Sequence, residues 1–177
     1  MGTLKHIRAI FLLPFMVTIV IPLVLTVLAG GLDIGWSLSP PLNLLPIALG
    51  ICLIAVGLAL MIQTVSLFAS VGQGTLAPWD PPQRLVVRGP YRRVRNPMIV
   101  GVFCIVLGEA ALMGSVPILC WFVAMVAVNF LYMPLVEEPG LVRRFGDGYL
   151  TYKKNVPAWI PRISPWGPPE ETGHNGE

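Results

Sequence analysis

The stretch "RGPYRRVRNPMIVG", Arg88 to Gly101, sets four arginines ahead of a proline, and beyond that proline no charge appears until Glu109. With Arg84, five of the chain's 12 Lys and Arg residues lie between positions 84 and 95. Further on, Glu137 and Glu138 close another apolar stretch. A basic loop can simply rest on anionic headgroups, which accounts for the arginines but not for the dense Gly/Pro turn chemistry around them. A carboxylate beside a half-buried loop of this kind can hold ribose hydroxyls or a cationic ligand, or it can salt-bridge a loop arginine. Adjacent residues on a helix point about 100° apart, so the glutamate pair predicts two different partners.

The elements that must position these residues are apolar. The chain has 177 residues, 55% hydrophobic and 12% charged, with 18 prolines and 18 glycines, and a mean hydropathy of +0.74. A soluble domain carries roughly a quarter of its residues as Asp, Glu, Lys and Arg, so half that fraction points to lipid as the main solvent. Four spans are predicted, at about residues 9–28, 41–70, 98–113 and 116–136. A bilayer core takes about 20 helical residues, so the third span is short and reads as one arm of a tight hairpin turning at "MGSVP" into the fourth. Lys5 and Arg8 before the first span resemble a signal-peptide flank. That span is longer than a typical signal core and "VLAGG" is a weak cleavage site, so a retained helix is expected.

Charge sets the orientation. Lys5 and Arg8 precede span one; Arg84, Arg88, Arg92, Arg93 and Arg95 lie between spans two and three; Arg143, Arg144, Lys153, Lys154 and Arg162 follow span four. The loops around Asp33 and Ser115 hold no Lys or Arg. All cations thus fall on one side, which the positive-inside rule makes cytoplasmic, with both termini. The localisation predicted is an integral protein of a bacterial-type inner or cell membrane. Cys52, Cys104 and Cys120 all lie in apolar spans, and His6 and His174 sit near opposite ends. Neither a disulfide framework nor a metal site is supported.

The fold class predicted is all-α: a single polytopic membrane domain, 1–177, with about four transmembrane helices plus a C-terminal amphipathic interfacial helix. A cytoplasmic loop, 71–97, joins spans two and three. In the C-terminal helix, 137–156, Leu141, Phe145, Tyr149, Tyr152 and Val156 recur at intervals of four, four, three and four. They form one apolar stripe that lies on the membrane interface or caps the bundle. Gly146 and Gly148 weaken this helix by about 1 kcal/mol each. Residues 163–177 read as a disordered tail.

With these residues placed, "GPYRRVRNPMIVG" resembles the G-x-Y-x-x-x-R-H-P-x-Y-x-G signature of integral-membrane methyltransferases, which include isoprenylcysteine carboxyl methyltransferase and the phospholipid N-methyltransferases. The second half of that pattern is similar to Glu137-Glu138, Leu141, Phe145-Gly146, Tyr149, Tyr152 and Val156-Pro157. The resemblance covers about residues 83 to 162. It implies a cytoplasmic S-adenosylmethionine site lined by Gln83, Arg84, Leu85, Val86, Tyr91, Arg95, Asn96, Pro97, Met98, Ile99 and Glu137, with some arginines holding the cofactor's carboxylate. It also implies a lipid-facing opening for the substrate. The partners expected are the lipid bilayer and a hydrophobic small-molecule or lipid substrate, with no nucleic acid.

The sequence departs from the pattern at two positions: Asn96 stands where the family has histidine, and Ile99 where it has tyrosine. An asparagine amide can donate and accept hydrogen bonds but cannot titrate, so position 96 would serve binding rather than proton transfer. Methyl transfer from a sulfonium needs alignment more than proton shuttling. An amine acceptor would have to be deprotonated, and Glu138 is then the candidate catalytic base. Two other classes compete. One is a sterol-reductase-like NADPH enzyme, which carries a similar Arg-His-Pro pattern but more spans. The other is a non-catalytic membrane subunit or small transporter, built around the intramembrane polar residues Gln63, Glu109 and Asn129.

Overall fold

The structure, a computed structural model, describes residues 14–71 and 85–167. Among these residues every regular element is helical. A π-helical turn, Met16–Val20, leads into α1, Ile21–Leu28; α2 spans Leu44–Val71 and α3 Pro97–Met113. Then α4, Val116–Tyr132, passes through a second π-helical turn, Met133–Glu137, into α5, Glu138–Asn155. Among the described residues two helices are long and apolar enough to cross a membrane: Leu44–Leu67 within α2, and the one that starts at Val116. Met16–Leu28 and Pro97–Met113 are shorter apolar helices. The outer surface is rich in exposed aliphatic side chains, with Leu45 70% and Leu135 71% exposed, a surface suited to lipid rather than water.

The tightest packing is between α2 and α3, which cross antiparallel on glycine. A Cβ placed on Gly57 would sit 2.5 Å from the Gly101 carbonyl oxygen, and one on Gly101 2.9 Å from that of Gly57. Gly50 and Gly108 repeat the arrangement one heptad away, at 2.7 and 2.8 Å. Between helices in lipid there is no hydrophobic drive to associate, so close backbone approach is what holds them. Val106, Ala110, Ile118 and Met125 form the buried core between α3 and α4, with Val17 and Leu25 of the first helical segment packed against it. The hairpin expected at "MGSVP" is present: Gly114 closes α3 at φ 59°, and the Ser115 hydroxyl accepts from the Ile118 amide to start α4. A left-handed residue followed by a serine N-cap is an efficient helix–helix turn.

Both π-turns have one cause. The Ile21 amide reaches Met16 O and the Glu138 amide reaches Met133 O, each five residues back. Each donor directly precedes a proline, Pro22 or Pro139. A proline ring collides with the carbonyl four residues behind it, and a widened turn makes room. The second of these turns orients the glutamate pair.

The C-terminal helix departs from the single straight element expected over 137–156. Gly146 takes φ 53° and ψ −134°, which splits α5 into two arms. A straight helix would carry residues 138 and 153 about 22 Å apart, yet their side chains form an ion pair. The chain therefore folds back at Gly146. The stripe survives in folded form: Tyr149, Tyr152 and Val156 are buried, with Leu141, Phe145 and Trp166 packed on them. A second correction concerns the tail. Residues 163–167, expected to be disordered, include Trp166, whose amide donates to Arg92 O and whose carbonyl accepts from Arg92 Nε. Of the predicted first span, residues 9–13 lie outside the described residues, as do 72–84 of the loop and 168–177 of the tail.

Candidate functional site

The arginine loop is assembled from short local pieces. Leu85 and Val87 run non-helically against the Tyr149, Tyr152 and Val156 cluster. Arg88 is extended, and Gly89 at φ 53° starts a single 3-10 turn, Gly89–Arg92, with Pro90 in its first positions. Val94 is buried to 1% exposure and pins the loop inward. Pro97 opens α3, where its missing N–H costs nothing.

Residues 156–167 then lie across this loop as a strap. The Arg95 amide donates to Pro157 O at 2.9 Å, the Arg162 amide to Arg93 O at 2.9 Å and the Trp166 amide to Arg92 O at 2.8 Å. The Asn96 side-chain amide donates to Ala158 O at 3.3 Å. Further along the strap, Trp159 stacks between Phe103 of α3 and Phe130 of α4.

Arg95 is the centre of the site. Its Nη1 donates to Glu138 Oε1 at 2.6 Å and to the Tyr149 hydroxyl at 3.1 Å, so one guanidinium holds both arms of α5. Lys153 neutralises the other Glu138 oxygen. Burial opposes charge on Glu138, but the hydrogen bonds and charges of Lys153 and Arg95 prevail and hold its carboxyl below the ordinary carboxylate range. Tyr91, Tyr149 and Tyr152 all have raised pKa values, in each case chiefly through burial. They stay neutral phenols, and the Tyr152 hydroxyl donates to Tyr91 O at 2.7 Å, tying the second arm of α5 to the loop.

The sequence-predicted residues divide clearly. Leu85, Val86, Tyr91, Arg95, Asn96, Pro97, Met98, Ile99, Glu137 and Glu138 come together at the loop end of the bundle, on the loop, the first turn of α3 and the start of α5. Gln83 and Arg84 lie outside the described residues. The two glutamates take different environments, as their angular separation required. Glu138 is buried in its ion pairs, the bland outcome foreseen for one of the pair. Glu137 is half-buried and has neither hydrogen bond nor ion pair among the described residues, although its charge is felt at Tyr149. Arg95 Nε is buried and also lacks a partner. Sequence reasoning did not anticipate Lys153: fifteen residues from Glu138 on an apparently straight helix, it gave no signal. Among the intramembrane polar residues, Asn129 is satisfied by its own helix, donating to Met125 O.

A sequence model described as "Phospholipid methyltransferase" matches residues 45–148. Over 79 residues the chain is 39% identical to the Protein-S-isoprenylcysteine O-methyltransferase of Schizosaccharomyces pombe, a stretch that covers 45% of this chain and 34% of that protein. The chain thus spans about a third of the length of that curated relative. No solved structure matches it.

Proposed function

The chain belongs to the phospholipid methyltransferase family, and on that premise we propose that it is an integral-membrane, S-adenosylmethionine-dependent methyltransferase acting on a lipid-like or small hydrophobic carboxylate, amine or thiol. Four spans would place the arginine loop, α5 and both termini on the cytoplasmic side, since all twelve Lys and Arg then fall there.

The observation that carries the reading is the pair of unspent polar groups within one braced unit. Glu137 offers a half-buried carboxylate and Arg95 a buried Nε–H, each without a partner among the described residues. That set fits the cofactor: a guanidinium N–H suits its carboxylate, and a carboxylate suits its ribose hydroxyls or ammonium. When bound, S-adenosylmethionine supplies a methyl group on a sulfonium. The protein's part is alignment. Tyr91, Asn96 and Pro97 fix the loop, the strap holds it from outside, and Glu138 keeps Arg95 in one orientation. An anionic acceptor would need no base. For an amine acceptor Glu138 is the nearest buried carboxylate, and it would have to release Lys153 to take the proton.

Binding of labelled S-adenosylmethionine to detergent-purified protein, with NADPH as competitor, tests this reading. Saturable binding untouched by NADPH is expected. Glu137→Ala should weaken it by about 1.5–3 kcal/mol, the range for hydrogen bonds to charged groups, while leaving the fold intact. Displacement by NADPH, or unchanged affinity in a folded Glu137→Ala protein, would overturn the assignment.

A further inference from the structure

The strap has an unusual surface. Trp159 is wedged between Phe103 and Phe130, while Ile160 next to it is 80% exposed and Ile163 92% exposed. Arg162, between the two isoleucines, points back and donates to Asn155 O. Such side chains facing water would be unfavourable, and nothing else in the described fold covers them.

Where Trp159 sits indicates what does. Phe103 is six residues into α3 from Pro97, about 9 Å along the axis, and Phe130 is seven residues before Glu137, about 10 Å. The two distances agree, so the strap leaves the polar level of Asn96 and Glu137 and dips alongside the apolar helices. A headgroup layer is roughly 5–7 Å deep per leaflet. The tryptophan therefore lies where acyl chains meet headgroups, the level that indole rings favour. Leu131 at the end of α4, one residue from the Phe130 on which Trp159 stacks, and Leu135 in the second π-helical turn are exposed apolar side chains as well. Arg88 and Arg93 of the loop that the strap crosses, and Lys154 of α5, are exposed cations suited to anionic headgroups.

We propose that residues 157–165 are an interfacial anchor: they insert Ile160 and Ile163 into the acyl–headgroup boundary of an anionic bilayer, beside the wedged Trp159. Through the Pro157–Arg95 and Ala158–Asn96 hydrogen bonds, the anchor sets the depth of the arginine loop in the membrane. This holds whether or not the methyl-transfer reading does.

The test uses full-length protein in phosphatidylcholine/phosphatidylglycerol nanodiscs, with a polarity-sensitive fluorophore on Ile160→Cys or Ile163→Cys after Cys52, Cys104 and Cys120 are replaced. Arg144→Cys serves as the water-facing control. Labels at 160 and 163 should emit to the blue of the label at 144 and be quenched more by doxyl lipid than by iodide, with the order reversed at 144. Equal iodide quenching at all three positions overturns the proposal. So does a disulfide-linked dimer through Ile163→Cys without lipid quenching, which would assign the face to a second copy. The unsubstituted chain gives an independent check, through photolabelling by a phospholipid with a diazirine near the top of its acyl chain. Adducts on the tryptic peptide from Asn155 to Arg162 support the anchor, and adducts confined to α1, α2 and α4 exclude it.

Discussion

Between Gly57 and Gly101 the contact is backbone against backbone, with a space too small for a methyl group. Between Arg95 and Glu138 it is one guanidinium nitrogen on one carboxylate oxygen, with Tyr149 and Lys153 completing the set. Both contacts join segments distant in sequence, yet they fail in different ways. The glycine crossing depends only on shape, so it is indifferent to pH and salt and intolerant of volume. The arginine clasp depends on every partner being present, because burying one charge without its opposite is costly. A framework that must not move is built from the first kind of contact. A polar site that must present particular groups is built from the second, and it leaves two of those groups unspent.

The largest expected effect breaks the clasp. Glu138→Ala leaves Arg95 buried with no counter-ion and should cost about 3–5 kcal/mol of stability in a mixed-micelle unfolding titration. Because the Glu138 carboxyl is held below its ordinary range, its contribution should be complete above a pH of about 4.3 and disappear as pH falls through the lowered value. Glu138→Gln should abolish that acid-side loss. If wild type and Glu138→Gln lose stability in parallel on acidification, the clasp is not what the acid disrupts.

Gly57→Ala probes the other contact. The added methyl meets backbone that cannot swing aside, and overpacking of this kind should cost about 1–3 kcal/mol. The cost should be the same at every pH where the clasp is intact. A pH-dependent cost would mean that the crossing and the clasp are one cooperative unit.

A matched pair of alanines isolates the fold-back. Gly146 and Gly148 both face open space, but only Gly146 has positive φ. Gly146→Ala should therefore destabilise by about 1–3 kcal/mol from backbone strain alone, whereas Gly148→Ala should stabilise by up to about 1 kcal/mol. Equal effects in the same unfolding assay would mean that the chain does not fold back at Gly146.

The smallest effect is at Asn96. Its amide reaches Ala158 O in the strap, so Asn96→Ala should cost about 0.5–1.5 kcal/mol of stability. Asn96→His retains a donor and should keep S-adenosylmethionine affinity within roughly tenfold, about 1.4 kcal/mol. A histidine that performs worse than alanine would show that the position reads size and not hydrogen bonding.

The apolar stretches and the Gly114–Ser115 hairpin were legible because hydropathy and turn chemistry are local properties. The gathering of the loop with the glutamate pair was legible too, since charge sidedness places both at one end. The fold-back at Gly146 was hidden by its own regularity: intervals of four, four, three and four satisfy a straight helix as well as two arms converging on one cluster. The end of the strap, residues 163–167, reads as tail because a proline-rich run has no period, although Trp166 is a costly residue to leave in water. Which glutamate would take Arg95 could not be read from two identical neighbours, since the π-turn ahead of Pro139 decides their directions. The glycines at 50, 57, 101 and 108 did carry a signal, a seven-residue spacing in two adjacent spans, that hydropathy alone passes over.

Three of the loop's hydrogen-bonded ties come late in the chain. Tyr91 is held by a residue 61 positions downstream, Asn96 by one 62 positions away and Arg92 by one 74 positions away. A ribosome reaches these partners only after α3 and α4 have been made. If α3 and α4 insert as a hairpin during synthesis, the arginines lack these ties at that stage and can rest on headgroups, to be drawn into the site only later. The same side chains would then serve two periods in the life of the molecule, first as topology signals and then as structural ties. A premature stop just after Gly146 would keep Glu138 for Arg95 but remove every one of these later ties, from Tyr152, Ala158 and Trp166.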